Sequence, residues 1–197
     1  MDKLFTVIVQ KMEQQRIIVA DESEIYLYGI ENGFFILLNI FWGIIVAYLF
    51  DELVSVSLFI LIFITLRTYA GGYHCSKRVY CYLLSNTIIF IPIFIKLIPN
   101  KLSASIITVC MVVVFIVSPL EHINKKLEAY EVYRYKKYVY RIGVISFFLI
   151  VGGYIFKFYK LYSSIGLAII TVCGLQVCQV IKSYSNKKMK NCNEIQI

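Results

Sequence analysis

Long, nearly unbroken apolar runs decide what this chain can become. Five stretches, 34–50, 79–98, 102–118, 142–158 and 161–181, are almost free of charge, and a sixth, 53–66, is shorter but just as apolar. A helix needs roughly 17–25 apolar residues to cross a bilayer. Five of the six runs reach that length, and the sixth reaches it if Arg67 to Ala70 extend the helix. Composition agrees, because 59% of the 197 residues are hydrophobic and only 16% are charged, against about 25% charged in soluble domains. The sequence therefore predicts an all-α polytopic membrane protein. It should form one integral membrane domain over 1–197, with about six transmembrane helices (33–50, 53–69, 79–98, 102–118, 142–158 and 161–181) and an N-terminal amphipathic helix over 1–20. A water-soluble core is excluded.

Lys3, Lys11, Glu13 and Arg16 interrupt the first twenty residues, so no continuous apolar region of a secretory signal is expected there. Leu4, Val7, Ile8 and Met12 lie near helical spacing, which fits either a helix lying on the membrane surface or a short solvated one.

Lys and Arg collect on the cytoplasmic side of membrane proteins. With six spans, the N-terminal segment, the 67–78 loop, the 119–141 loop and the C-terminal tail share one face and hold sixteen of the twenty. Lys96, Lys101, Lys157 and Lys160 are the four on the other face. Both termini should then be cytoplasmic. The net charge of +8 reads as orientation and contact with anionic lipid rather than nucleic-acid binding, because no soluble domain exists to present a basic face.

Among the six cysteines, Cys75, Cys81, Cys110, Cys173, Cys178 and Cys192, no CxxC pair occurs, so zinc or iron–sulfur binding is not expected and no metal or cofactor is implied. Cys110, Cys173 and Cys178 fall inside spans, where a thiol acts as a small apolar group. Cys75, Cys81 and Cys192 fall at or beyond cytoplasmic ends, where disulfides are disfavoured.

The loops give the remaining landmarks. A polar stretch from Asp21 to Asn32 precedes span one, and Asp51-Glu52 turns outside between spans one and two. Pro92 should kink span three, and Pro99-Asn100 turns after it. The longest polar stretch, 118–141, ends in Tyr133, Tyr135, Tyr138 and Tyr140, as interfacial aromatics do.

The two histidines, His74 and His122, both fall in predicted cytoplasmic loops, and His74 precedes Cys81 by seven residues. A thiol becomes a useful nucleophile when a neighbouring imidazole takes its proton. In one continuous helix seven residues rise about 10.5 Å, too far for a hydrogen bond of about 3 Å. If the two are partners, the chain has to break between them, and Gly71-Gly72, immediately before His74, could supply the irregular backbone. Cys81 would then occupy the first turn or two of span three, where a helix favours an anion. The other reading is a polar loop that happens to contain a His and a Cys.

Other residue types in the same region have two readings each. Arg67 could snorkel to the headgroups, bind a substrate carboxylate or steady an oxyanion, for which the Gly71 and Gly72 amides are alternative donors. Glu31, at the start of span one, could cap the helix or orient the imidazole as a third catalytic member. Cys75 ranks below Cys81, because adjacent side chains point apart and it has no helix-terminus position. Ser85 and Asn86, about one turn beyond Cys81, could line a pocket. For Ser118-Pro119-Leu120-Glu121 a helix stop is sufficient explanation. The basic 125–141 loop reads as orientation signal, or as a dock for an acidic peptide tail.

The run Arg67-Thr68-Tyr69-Ala70-Gly71-Gly72-Tyr73-His74, with Cys81 seven residues on, resembles the accessory gene regulator B (AgrB) membrane peptidases of Gram-positive bacteria. Tyr28-Gly29-Ile30-Glu31 and the segment from Ser118-Pro119-Leu120-Glu121 to Asn124-Lys125 are weaker matches. The likeness in length, span count and charge layout covers nearly the whole chain, and only 67–81 is specific.

The resemblance implies a cysteine endopeptidase of the cell membrane. It would cut the C-terminal tail from an AgrD-like quorum-sensing pro-peptide through an acyl-enzyme thioester and help form a cyclic thiolactone. It carries the nucleophile onto Cys81, the His onto His74, and the sensitive Arg and Gly onto Arg67 and Gly72. Cys75, where the family more often has a small residue, is a departure. Homodimerisation is likewise implied by the family, with Gly29 and Gly33 as a small-residue pair that could pack helices. The alternative from another class is a non-catalytic peptide exporter or scaffold. A membrane-lipid enzyme is weaker still, since the loops lack acidic metal-binding clusters.

Overall fold

The computed structural model describes residues 2–73, 78–95, 103–120 and 128–194. Among the described residues there is no strand, as expected where lipid leaves each segment to satisfy its own backbone polar groups. The helices are α1 (Asp2–Gln14), α2 (Ser23–Leu49), α3 (Leu53–Ala70), α4 (Arg78–Ile89), α5 (Ile91–Ile95), α6 (Ala104–Val117), α7 (Ala129–Ile155) and α8 (Tyr159–Glu194), with one 3-10 turn at Ala20–Glu22. Four of them carry stretches long and apolar enough to cross a membrane: Ser23–Leu49, Leu53–Ala70, Ala129–Ile155 and Tyr159–Ser185. Tyr80–Ile93 and Ala104–Val117 are apolar but shorter. The protein is thus an all-helical polytopic membrane protein.

The chain divides into two units, Met1–Trp42 and Gly43–Ile197. In the first, α1 turns Phe5 and Val9 inward and leaves Leu4, Val7 and Ile8 exposed. Phe5 packs on Phe34 of α2 with ring centroids 5.4 Å apart, and the Ser23 hydroxyl donates to the Glu13 carboxylate at 3.4 Å. Arg16 ends α1 at φ 56°: its amide donates to the Glu13 carbonyl and the Ile17 amide to Met12, the paired bonds of a left-handed helix stop.

In the second unit α8 packs against α3, α6 and α7, and α3 also packs on α7. The reason is visible in the spacing. Val56, Phe59, Phe63, Leu66 and Ala70 make one buried stripe on α3, and Ile165, Ala168, Ile169, Val172 and Gln176 make another on α8, each following the three-and-four rhythm of a helix face. Gly143 lets the Phe115 ring close to within 2.3 Å of where a Cβ would stand, so α6 and α7 approach closely through a missing side chain. Phe147, Phe148, Val151 and Ile155 of α7 stay exposed, which suits lipid and not water.

Several helices run beyond their apolar segments. α2 begins at Ser23 and α8 continues to Glu194. α7 begins at Ala129 within the polar stretch, where Glu128 and Glu131 form a reciprocal capping box that satisfies two otherwise unpaired amides. The third apolar run is broken at Phe90 between α4 and α5. Pro92 lies two residues later, and it can neither donate to Ile88 nor avoid that carbonyl.

At the α2–α3 turn Asp51 takes φ 55° and Glu52 is buried at 4% exposure. Its carboxylate accepts from the Ser55 hydroxyl at 2.6 Å and from Lys160 Nζ at 3.3 Å, tying α3 to the start of α8. Lys160→Met strips the cation from a buried carboxylate, while Glu52→Gln removes the charge itself, and the first kind of loss is the costlier. Melting in detergent should therefore fall further for Lys160→Met than for Glu52→Gln.

Candidate active site at the end of the third helix

α3 ends at Ala70 because Gly71 adopts φ 74°, ψ −170°, a conformation essentially reserved for glycine. The Gly71 amide donates back to the Arg67 carbonyl at 3.1 Å, so it is spent on capping α3. A Cβ on Gly71 would come within 2.6 Å of the Leu120 carbonyl oxygen, which shows how closely the segment after α6 crosses here. Leu120 donates its amide to the Ala70 carbonyl at 3.0 Å. Gly72 comes next at φ 156°, and Tyr73 donates its amide to the Leu175 carbonyl of α8 at 3.1 Å.

Arg67 turns onto this same bend. Its Nη2 donates to the Tyr73 carbonyl at 2.7 Å, and its guanidinium lies 5.9 Å from the Phe63 ring centroid. The sequence offered Arg67 as a snorkelling, substrate-binding or oxyanion residue; among the described residues it braces the Gly71–Tyr73 backbone. Lys182 Nζ stands 4.7 Å from the Tyr73 ring centroid, a cation–π distance. Tyr69 stacks on Tyr138 of α7 at 4.7 Å. Arg134 and Arg141 lie about that ring at 5.9 and 6.0 Å, so the end of α3 is surrounded by fixed positive charge.

Two residues join the site that sequence reasoning had not singled out. Gln176 of α8 is fully buried, and its Nε2 donates to the Ala70 carbonyl at 3.1 Å and to Ser118 Oγ at 2.8 Å. Ser118, buried at 5%, belongs to a run read as a simple helix stop. The available signal was an amide inside the apolar run 161–181, since polar groups at membrane depth are costly and mark function.

The other candidates are more scattered. His74 and Cys75 lie outside the described residues, as does His122. Cys81 is the fourth residue of α4, partly exposed with a free thiol, and so belongs to the first turn, where amides lack intrahelical acceptors. Ser85 is one turn on from Cys81 along the same face. Asn86 donates to the Tyr82 carbonyl at 3.1 Å, and its Oδ1 is buried with no donor among the described residues. Glu31 is buried at 4%, but α2 starts eight residues before it. That removes the capping reading, because only the first turn carries unpaired amides. Gly29 and Gly33 have nothing within 4 Å of a built Cβ. Among the described residues no three His, Cys, Asp or Glu side chains are grouped to hold a metal ion.

Residues 3–181 match the family model described as Accessory gene regulator B. No curated protein and no solved structure matches the chain.

Proposed function

The chain belongs to the accessory gene regulator B family, and from that premise we propose that it is a membrane cysteine peptidase with Cys81 as nucleophile and His74 as base. Family membership gives it a place in the accessory gene regulator system and an AgrD-type peptide as partner. The observation that carries the finer reading is the braced bend Gly71–Tyr73, fixed by Arg67, Leu120 and Leu175. It ends one residue before His74, so His74 does not continue α3, and Cys81 is the fourth residue of α4.

In this reading the imidazole takes the Cys81 proton and the thiolate attacks the carbonyl of the scissile bond. The proton then passes to the leaving amine, and the N-terminal portion of the precursor stays on Cys81 as a thioester. The Gly71 amide already donates to Arg67, so the oxyanion falls to the Gly72 amide, which donates to nothing among the described residues. The positive surroundings of Arg67 and Lys182 favour it further. Attack by the precursor's own cysteine then exchanges one thioester for another and closes a thiolactone, an outcome that poor hydration at the membrane edge favours. Ser85 and Asn86 line the pocket. Both termini lie in the cytoplasm, and two copies associate in the lipid.

The test is a trap. An N-terminally tagged AgrD-type precursor with its internal cysteine changed to alanine cannot cyclise. Co-expression should leave a hydroxylamine-labile adduct that mass spectrometry maps to Cys81. An adduct mapped to another residue, or cleavage without any thioester, counts against Cys81 as nucleophile, and a precursor that is never cleaved favours the exporter.

A further inference from the structure

We propose that Gln176 is a positioning residue for this reaction, holding in place the Ala70–Tyr73 bend that immediately precedes His74; the inference rests on the peptidase reading above. Three separate stretches of chain meet at the Ala70 carbonyl. It accepts from Leu120 at 3.0 Å and from Gln176 Nε2 at 3.1 Å, and the second Nε2 proton is taken by Ser118 Oγ at 2.8 Å. One residue earlier in α8, the Leu175 carbonyl accepts from Tyr73. Adjacent residues of α8 thus hold the bend at both ends, Gln176 where α3 stops and Leu175 where the chain leaves toward His74. A Cβ on Gly72 would lie 3.6 Å from Leu175 Cβ, so the bend runs close beside α8 between those points.

The amide orientation is fixed by its partners, since only the nitrogen can donate to a backbone carbonyl. That leaves Gln176 Oε1 buried with no donor among the described residues. An unpaired buried carbonyl is destabilising, because its desolvation is not repaid. A residue present only to fill space between α3, α6 and α8 would be leucine or methionine, which carry no such cost. Gln176 keeps it in exchange for two donated bonds directed at the bend and at the end of α6. Ser118 is the matching element on the α6 side, which gives the Ser118-Pro119-Leu120 run a role beyond stopping a helix.

The experiment compares wild type, Gln176→Met and Ser118→Ala as full-length proteins in nanodiscs, with the tagged precursor as substrate. Methionine keeps the volume and removes both donors. Amide exchange over residues 71–73 should rise about tenfold in Gln176→Met, the worth of roughly one hydrogen bond. The kcat for cleavage should drop about 10- to 100-fold, the scale of a small misplacement, while KM stays put. Ser118→Ala should show the same split with a smaller loss, and it decides the matter if Gln176→Met fails to fold. Unchanged exchange in the variants overturns the tether. Faster exchange with undiminished kcat, or a loss confined to KM, overturns the positioning role. Wild-type protein that never cleaves the precursor sinks the peptidase reading and this role together, whereas variants that behave like an active wild type sink this role alone.

Discussion

Cys81→Ala and His74→Ala should each abolish processing, with cleavage of the tagged precursor falling on the order of 10⁴- to 10⁶-fold, the range seen when one member of a nucleophile–base unit is removed. The size comes from what each side chain supplies. Without the sulfur no thioester forms, and the route through a covalent intermediate closes. Without the imidazole the thiol has no base and the leaving amine no acid, two proton transfers lost at one residue. Because the two groups act as one unit, the double variant should be no worse than either single one. This separates them from two unrelated contributors, whose losses would multiply. Cys75→Ala resolves the departure from the family pattern, and cleavage should persist in it. Immunoblots of the precursor, normalised to membrane-inserted protein, give all four values. Processing that survives in Cys81→Ala and disappears in Cys75→Ala would move the nucleophile to the neighbouring thiol.

How much of the fold and the site was legible in the sequence depends on which physical signal each residue carries. The apolar runs revealed the helices because burial in lipid demands continuous hydrophobicity. They understated the lengths of α2, α7 and α8, because hydropathy reports the part in contact with lipid and not the helix propensity of the polar residues beyond it. α7 begins at Ala129 through a capping box at Glu128 and Glu131, with no Gly or Pro from 120 to 142, and α2 starts early enough to leave Glu31 in its interior. Pro92 and Gly71-Gly72 were readable as breaks, since proline and glycine act on their own backbone. The pairings around the bend were not readable. Whether Arg67 points to headgroups, to a substrate or to the Tyr73 carbonyl is decided by chain that returns from elsewhere. Gln176 meets Ala70 from 106 residues away, a separation over which no local pattern carries information.

The same bend predicts a large structural effect from a single methyl group. Gly71→Ala should cost about 1–3 kcal/mol from its backbone conformation alone, because φ 74° with ψ −170° forces Cβ against the main chain. The new methyl also lands 2.6 Å from the Leu120 carbonyl oxygen. That atom is backbone and cannot rotate aside, so the segment after α6 has to move. Moving it breaks the Leu120–Ala70 bond and disturbs the Ser118 hydroxyl that Gln176 holds. Stability and processing should therefore fall together, with a lower melting midpoint in detergent and cleavage reduced as strongly as in Gln176→Met or more. Gly174→Ala is the control, since it lies within α8 beside Leu175 and has nothing within 4 Å of a built Cβ. Replacing a glycine inside a helix by alanine is worth roughly 0.5–1 kcal/mol in its favour, so that variant should melt no lower than wild type and cleave as well. Were Gly71→Ala to match it in both measurements, the bend would not be held in the strained turn on which the position of Tyr73 depends.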